Sequence, residues 1–139
     1  MNLKELCPII KFNDFGDERG KLIVIEGGKS IPFEIKRIFY IYDSDNNVIR
    51  GQHANRKSEF VLINVVGNCK VRITNGDEEI IVELNKPMYG IYIPKMIWKD
   101  MYDFSKDSVL LVLSNTHYDG AEYIRNYDEY LNEIKKILV

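Results

Sequence analysis

The stretch Arg50-Gly51-Gln52-His53-Ala54-Asn55-Arg56-Lys57-Ser58-Glu59 concentrates the side chains best suited to proton transfer and anion binding: an imidazole, guanidinium groups, amides and a carboxylate. His53 is one of two histidines in the chain, and imidazole is the side chain whose ordinary pKa lies nearest neutrality. It is the first candidate for a general acid or base. Asn55 can donate a hydrogen bond to a developing oxyanion but does not exchange protons near neutral pH. Residues 60–66, which follow, are almost all apolar, so the polar group sits at the mouth of a buried sheet, where a pocket is expected. A histidine that merely capped a turn would have the same neighbours in sequence. The catalytic reading therefore requires His53 to line a cleft.

Such a cluster needs a rigid frame, and the chain reads as short strands separated by turn residues, with a helical pattern only at its end. Residues 9–12 and 21–26 flank the turn 14–20, with its two glycines, and predict a hairpin. Further strands are predicted at 36–42, 60–66, 69–74, 79–84, 90–94, 98–102 and 108–114, and Asn75-Gly76 is a strong hairpin signal. This cadence suits a sandwich or barrel. Residues 122–138 place Tyr123, Tyr127, Tyr130, Leu131, Ile134 and Leu138 at helical spacing, with lysines near the end that suit the helix dipole. The expectation is one all-β domain over 1–139 with a C-terminal helix packed on it.

Composition excludes several function classes. Nineteen Lys and Arg against 21 Asp and Glu give a net charge of -2, without the basic excess of a nucleic-acid-binding surface. No segment has the length and apolarity of a membrane helix, and the first residues lack the apolar run of a secretory leader. Cys7 and Cys69 have neither metal-ligand spacing nor the number of a disulfide framework. A cytoplasmic protein with no membrane or nucleic-acid partner is expected.

The polar cluster resembles the first of the two motifs of cupins, in Gly51, His53, Asn55, Glu59 and Gly67, and a second motif can be read in Gly90, Pro94 and Trp98-Lys99. Asn55 stands where the second histidine of that pattern belongs, and Trp98 or Lys99 where the last one does. His53 and Glu59 alone are too few donors for a transition metal, so no metal is expected. The resemblance implies a jelly-roll, a double-stranded β-helix.

A closer resemblance spans nearly the whole chain. The segments 16–22, 32–41, Arg50-Gly51-Gln52-His53-Ala54, Gly90-Ile91-Tyr92-Ile93-Pro94 and 118–127 are similar to those of bacterial nucleotide-sugar 3,4-ketoisomerases acting on dTDP-4-keto-6-deoxy-D-glucose. That family implies a cupin-fold homodimer with strands exchanged between subunits, which moves a sugar carbonyl from C4 to C3 without a cofactor. Its central motif, Arg-Gly-x-His-Ala-His-Lys, is altered here at Asn55 and Arg56.

Under this resemblance His53 carries the proton, Asn55 donates to the oxyanion and Tyr40 offers a hydroxyl to a sugar oxygen. Arg50 and Arg37, then Arg56 and Arg72, are the candidates for the diphosphate, because guanidinium matches phosphate geometry. Tyr89, Tyr92 or Trp98 would carry the base, and Lys21 and Lys99 would flank the sugar. Strand alternation sets Arg37 and Tyr40 on opposite faces unless a bulge intervenes. Arg56 and Lys57 also suit solvent, Glu59 a salt bridge, Trp98 the core and His117 a loop. A related epimerase or isomerase on another nucleotide sugar, and a non-catalytic nucleotide-sugar-binding cupin, remain as alternatives.

Overall fold

The computed structural model describes residues 1–138, of Leu138 the backbone alone, so the apolar contact expected of the Leu138 side chain lies outside the described residues, as does Val139. Two five-stranded antiparallel sheets face each other. The first is ordered β1 (Ile9–Lys11), β7 (Tyr89–Ile93), β4 (Phe60–Val66), β9 (Val109–Ser114), β2 (Arg37–Tyr42). The second is ordered β10 (Tyr123–Ile124), β3 (Arg50–Asn55), β8 (Trp98–Tyr102), β5 (Cys69–Thr74), β6 (Glu79–Leu84). A short helix α1 (Leu3–Leu6) precedes β1, a 3₁₀ turn (Gly120–Glu122) leads into β10, and α2 (Tyr127–Leu138) closes the chain. This is the cupin-type jelly-roll with a C-terminal helix.

Three apolar layers hold it. Between the sheets, Phe60, Leu62, Ile91, Ile93 and Val112 of the first pack against Val71, Ile73 and Met101 of the second. On the outer face of the first sheet, Phe12, Ile31 and Phe33 cover Val61, Ile63 and Leu113. Residues 60–63 of β4 are thus enclosed on both sides, which is why they read as an apolar run instead of an alternation. On the outer face of the second sheet, Tyr130 of α2 packs with Ala54, Trp98 and Ile124. Its hydroxyl donates to the carbonyls of Met96 at 2.8 Å and Thr74 at 3.2 Å, satisfying the one polar atom that burial would otherwise strand.

Three elements differ from the sequence reading. Residues 21–26 form no strand: Asp14 accepts from the backbone N–H groups of Gly16 and Leu22, and only isolated bridges such as Asp14 to Ile23 follow. Strand β1 pairs with β7 instead. Residues 50–55, read as polar groups ahead of a strand, are themselves strand β3. The C-terminal helix begins at Tyr127, because Asp119 caps the 3₁₀ turn and Tyr123 and Ile124 pair with Asn55 and Ala54.

Candidate active site

Strand β3 carries a bulge that aims its chemistry. Gly51 and Gln52 both have positive φ, 83° and 55°, and the pairing with β8 shifts register between Gly51 and His53. A Cβ on Gly51 would meet the carbonyl oxygen of Lys99 at 2.9 Å and Met101 Sδ at 3.1 Å, so the close approach and the left-handed backbone both call for glycine. Past the bulge, Gln52 faces outward and His53 turns inward, opposite Lys99 in the ladder. His53 and Lys99 share a cavity of about 160 Å³ with Arg50 and Tyr123, walled by apolar groups that include Leu62 and Val112.

A hydrogen-bonded chain runs away from this cavity. Lys99, 3% exposed, donates from Nζ to Asn55 Oδ1 at 3.1 Å and lies 4.2 Å over the ring of Phe60. Asn55 Nδ2 donates to Glu122 Oε1 at 2.6 Å, and Glu122 also accepts from the Ser58 hydroxyl and from the backbone N–H groups of Lys57 and Ser58. Arg37 donates to the hydroxyl of the cavity-lining Tyr123 and to Ser114 Oγ, both at 3.3 Å, while its Nε is buried without a partner. Tyr123 stands edge-on to His53, with ring centroids 4.8 Å apart.

The charges follow from burial. Burial first, then the cations of Lys99 and Arg125, push His53 down to about 3, against a smaller opposing effect of Asn55, so its imidazole is neutral and its buried Nδ1 has no partner. Burial likewise pushes Lys99 down to about 7, with Glu122 opposing and Arg37 adding to the effect. For Glu122 burial alone would raise the pKa, but the donors from Ser58, Asn55 and the backbone outweigh it and hold the carboxyl below its ordinary value.

The FdtA family (WxcM-like, C-terminal) matches residues 5–135. The TDP-4-oxo-6-deoxy-alpha-D-glucose-3,4-oxoisomerase of Aneurinibacillus thermoaerophilus is 41% identical over 129 residues, 93% of each chain. The chain belongs to this family of sugar 3,4-ketoisomerases. Among solved structures, QdtA, a sugar 3,4-ketoisomerase from Thermoanaerobacterium thermosaccharolyticum in complex with TDP, is 46% identical with a TM-score of 0.93, covering 96% of this chain and 98% of that one. WlaRB, a TDP-quinovose 3,4-ketoisomerase from Campylobacter jejuni, is 45% identical with a TM-score of 0.88, covering 91% and 97%.

In this ketoisomerase His53, Arg50 and Lys99 line one cavity, Asn55 lies directly behind Lys99, and Arg37 is bonded to the cavity-lining Tyr123. The other residues singled out in the sequence lie elsewhere in the chain. Tyr40 is 62% exposed on the outer face of β2, because alternation turns Arg37, Phe39 and Ile41 inward and leaves Ile38, Tyr40 and Tyr42 outside. Arg56 is drawn to α2, donating to Glu133 at 3.0 and 3.1 Å and to the Ala121 carbonyl at 3.1 Å. Arg72 is paired with Asp100 in a groove on the outer face of the second sheet. Trp98 shares that face, buried between Tyr127 and Tyr130. Tyr92 lies on the outer face of the first sheet near Phe33, its hydroxyl bound to Glu59. Glu59 also accepts from Asn115 Nδ2 at 2.7 Å, a hydrogen-bonded role in place of the salt bridge expected. Lys21 is on an exposed loop, 3.5 Å from Asp14. Glu122 and Ser58 are site residues the sequence reading passed over, and Tyr123, read there as part of a helix face, lies on β10 and lines the cavity. For Glu122 and Tyr123 the signal was the segment 118–127, which carries Asp119 and Gly120 just ahead of an acid, a capped turn instead of a helix start.

Proposed function

We propose that this ketoisomerase converts dTDP-4-keto-6-deoxy-D-glucose to a dTDP-3-keto-6-deoxyhexose by proton transfer through an enediol, with His53 carrying the carbon-bound proton. The observation that carries the reading is a neutral imidazole with an unpartnered Nδ1 in a small, largely apolar cavity whose remaining polar groups are cationic or hydroxylic. A neutral base can abstract the proton α to a ketone, and neighbouring cations stabilise the enediolate that forms. The reaction itself demands neither metal nor redox cofactor. Arg50 and Arg37 supply guanidinium groups on the side where the diphosphate would lie.

The TDP-4-oxo-6-deoxyglucose named for the relative from Aneurinibacillus thermoaerophilus, and the TDP-4-keto-6-deoxyglucose bound in a QdtA variant, support the same nucleotide sugar here. A 3-ketone is the group an amino-transfer step consumes, so the product suits synthesis of a deoxy or amino sugar for a surface glycan. The working unit is a homodimer with exchanged strands, supported by the exposed Ile38, Tyr40 and Tyr42 along edge strand β2, a row that a second copy would cover. Buried, unpaired Cys7 and Cys69 suit a reducing, cytoplasmic setting, and among the described residues no helix is long and apolar enough to cross a membrane.

Incubation with dTDP-4-keto-6-deoxyglucose in deuterium oxide, followed by NMR, tests the activity: deuterium at the reacting carbons and a new 3-ketone are expected. An unchanged spectrum with tight TDP binding would favour a binding protein, and an unchanged spectrum without binding would favour another sugar. Light scattering is expected to report a dimer, and a monomer at micromolar concentration would overturn the assembly.

A further inference from the structure

Resting on the ketoisomerase reading, we propose that Lys99 is the second proton carrier of the site, serving the two sugar oxygens while His53 serves the two carbons, with Asn55 and Glu122 as its positioning residues. Moving the carbonyl from C4 to C3 takes protons off C3 and O3 and puts protons on O4 and C4. In the first half, His53 accepts the C3 proton, the C3–H pair becomes the C3=C4 bond, and the carbonyl π pair takes a proton from the Lys99 ammonium at O4. In the second half, the neutral Lys99 amine takes the O3 proton, the O–H pair becomes the C3=O bond, and the C=C pair takes the proton from His53 at C4. Both side chains end as they began, and no other reagent is consumed.

The geometry assigns the oxygen role to Lys99 and not to Asn55. Asn55 accepts from Lys99 at Oδ1 and gives one amide N–H to Glu122, which holds it behind Lys99, and it is Lys99 and not Asn55 that lines the cavity. Lys99 spends one N–H on Asn55 and lines the cavity beside His53. The Phe60 face and the Asn55–Glu122 link hold the ammonium in place in a wall that admits no solvent to it. The titratable and charged groups around it are Arg37 of β2, Arg50 and His53 of β3, Glu122 of the 3₁₀ turn, Tyr123 of β10 and Cys7 after α1. Burial and the charge of Arg37 favour the amine, whereas the charge of Glu122 favours the ammonium.

That balance leaves Lys99 near 7, able both to give and to receive a proton, while burial, reinforced by the Lys99 charge, keeps His53 neutral. His53 and Lys99 then hold one positive charge between them at each stage, on Lys99 at rest and on His53 in the enediol. Beside the fixed charge of Arg50, the cavity never has to hold an ammonium and an imidazolium together.

The test is the pH profile of 3-ketone formation from dTDP-4-keto-6-deoxyglucose in wild type and three variants. Wild type should lose rate above about pH 7, as Lys99 loses the proton that O4 needs. Lys99→Arg, always charged, should abolish that alkaline limb and lower turnover by about 10²-fold or more, with TDP affinity within a few-fold. Lys99→Met should show a similar loss of turnover while keeping its thermal transition. Glu122→Gln should move the limb to lower pH, a shift that a merely structural carboxylate would not produce. Turnover within about tenfold of wild type in Lys99→Arg, or an alkaline limb that persists in it, would overturn the assignment while leaving the substrate reading intact. A wild type that forms no 3-ketone would overturn both.

Discussion

His53 of β3 and Lys99 of β8 are paired directly across the two strands, and both side chains turn into the same cavity. The ladder fixes the spacing of the two groups, so their mutual electrostatics are set by backbone hydrogen bonds rather than by loops, and strand-borne groups are held with little freedom to drift.

His53→Asn should lower turnover by roughly 10²–10⁴ while leaving TDP affinity within a few-fold, the range for one general acid/base group. Arg50→Ala should do the reverse, weakening TDP binding most. Isothermal titration with TDP beside an NMR rate assay separates the two effects. Near wild-type deuterium exchange in His53→Asn would move the base elsewhere.

Asn55→Leu should destabilise the fold by about 1–3 kcal/mol, because it leaves the Lys99 ammonium and one Glu122 oxygen without their shared partner in a buried setting. Asn55→His restores the residue common in the family, but a cationic imidazole beside Lys99 would repel it. Turnover in that variant should therefore fall as pH is lowered through the titration of the new imidazole. Urea unfolding and a pH series check these in turn.

Stability should depend on pH in two windows. Lys99 is held near 7 in the fold against an ordinary 10.5, so as pH drops from 10.5 toward 7 the unfolded chain gains a proton the fold resists, and stability is lost. His53, held near 3 against 6.5, produces a second loss between 6.5 and 3. Urea midpoints measured across pH should lose the first slope in Lys99→Met and the second in His53→Asn.

Gly51→Ala should cost more than about 1 kcal/mol, since alanine pays for a φ of 83° and its methyl group meets the Lys99 carbonyl. Because the strain would separate β3 from β8 beside His53, turnover should fall even at temperatures where the variant stays folded. Circular dichroism with a rate assay on the same sample checks both parts.

Much of the frame was legible because apolar patterning has a local cause. Strands β4 to β6 follow from runs of apolar and β-branched residues and from the Asn75-Gly76 turn, and the inward face of β2 follows from alternation, which already set Tyr40 apart from Arg37. Strand β3 was hidden, since Arg50 to His53 has no apolar alternation and its bulge breaks the period. The arginines were harder still. Arg56 and Arg72 were chosen for charge, but what occupies them, Glu133 and Asp100, comes from distant elements that no local pattern reveals. The same distance concealed Glu122 behind Asn55.

The bulge at Gln52 also separates the identity of a residue from the length of the strand. The side chain of Gln52 faces outward beside Arg72 and Trp98, so exchanging it for another polar residue should leave the cavity untouched. With Gln52 deleted, Gly51 alone would stand opposite Asp100, and Arg50 and His53, two positions apart in an unbroken ladder, would still face inward opposite Met101 and Lys99. What would go is the local bend and added twist that the bulge puts beside His53. The extra residue thus sets the angle of the imidazole and not its face, and its deletion is expected to lower turnover while leaving the sheet intact.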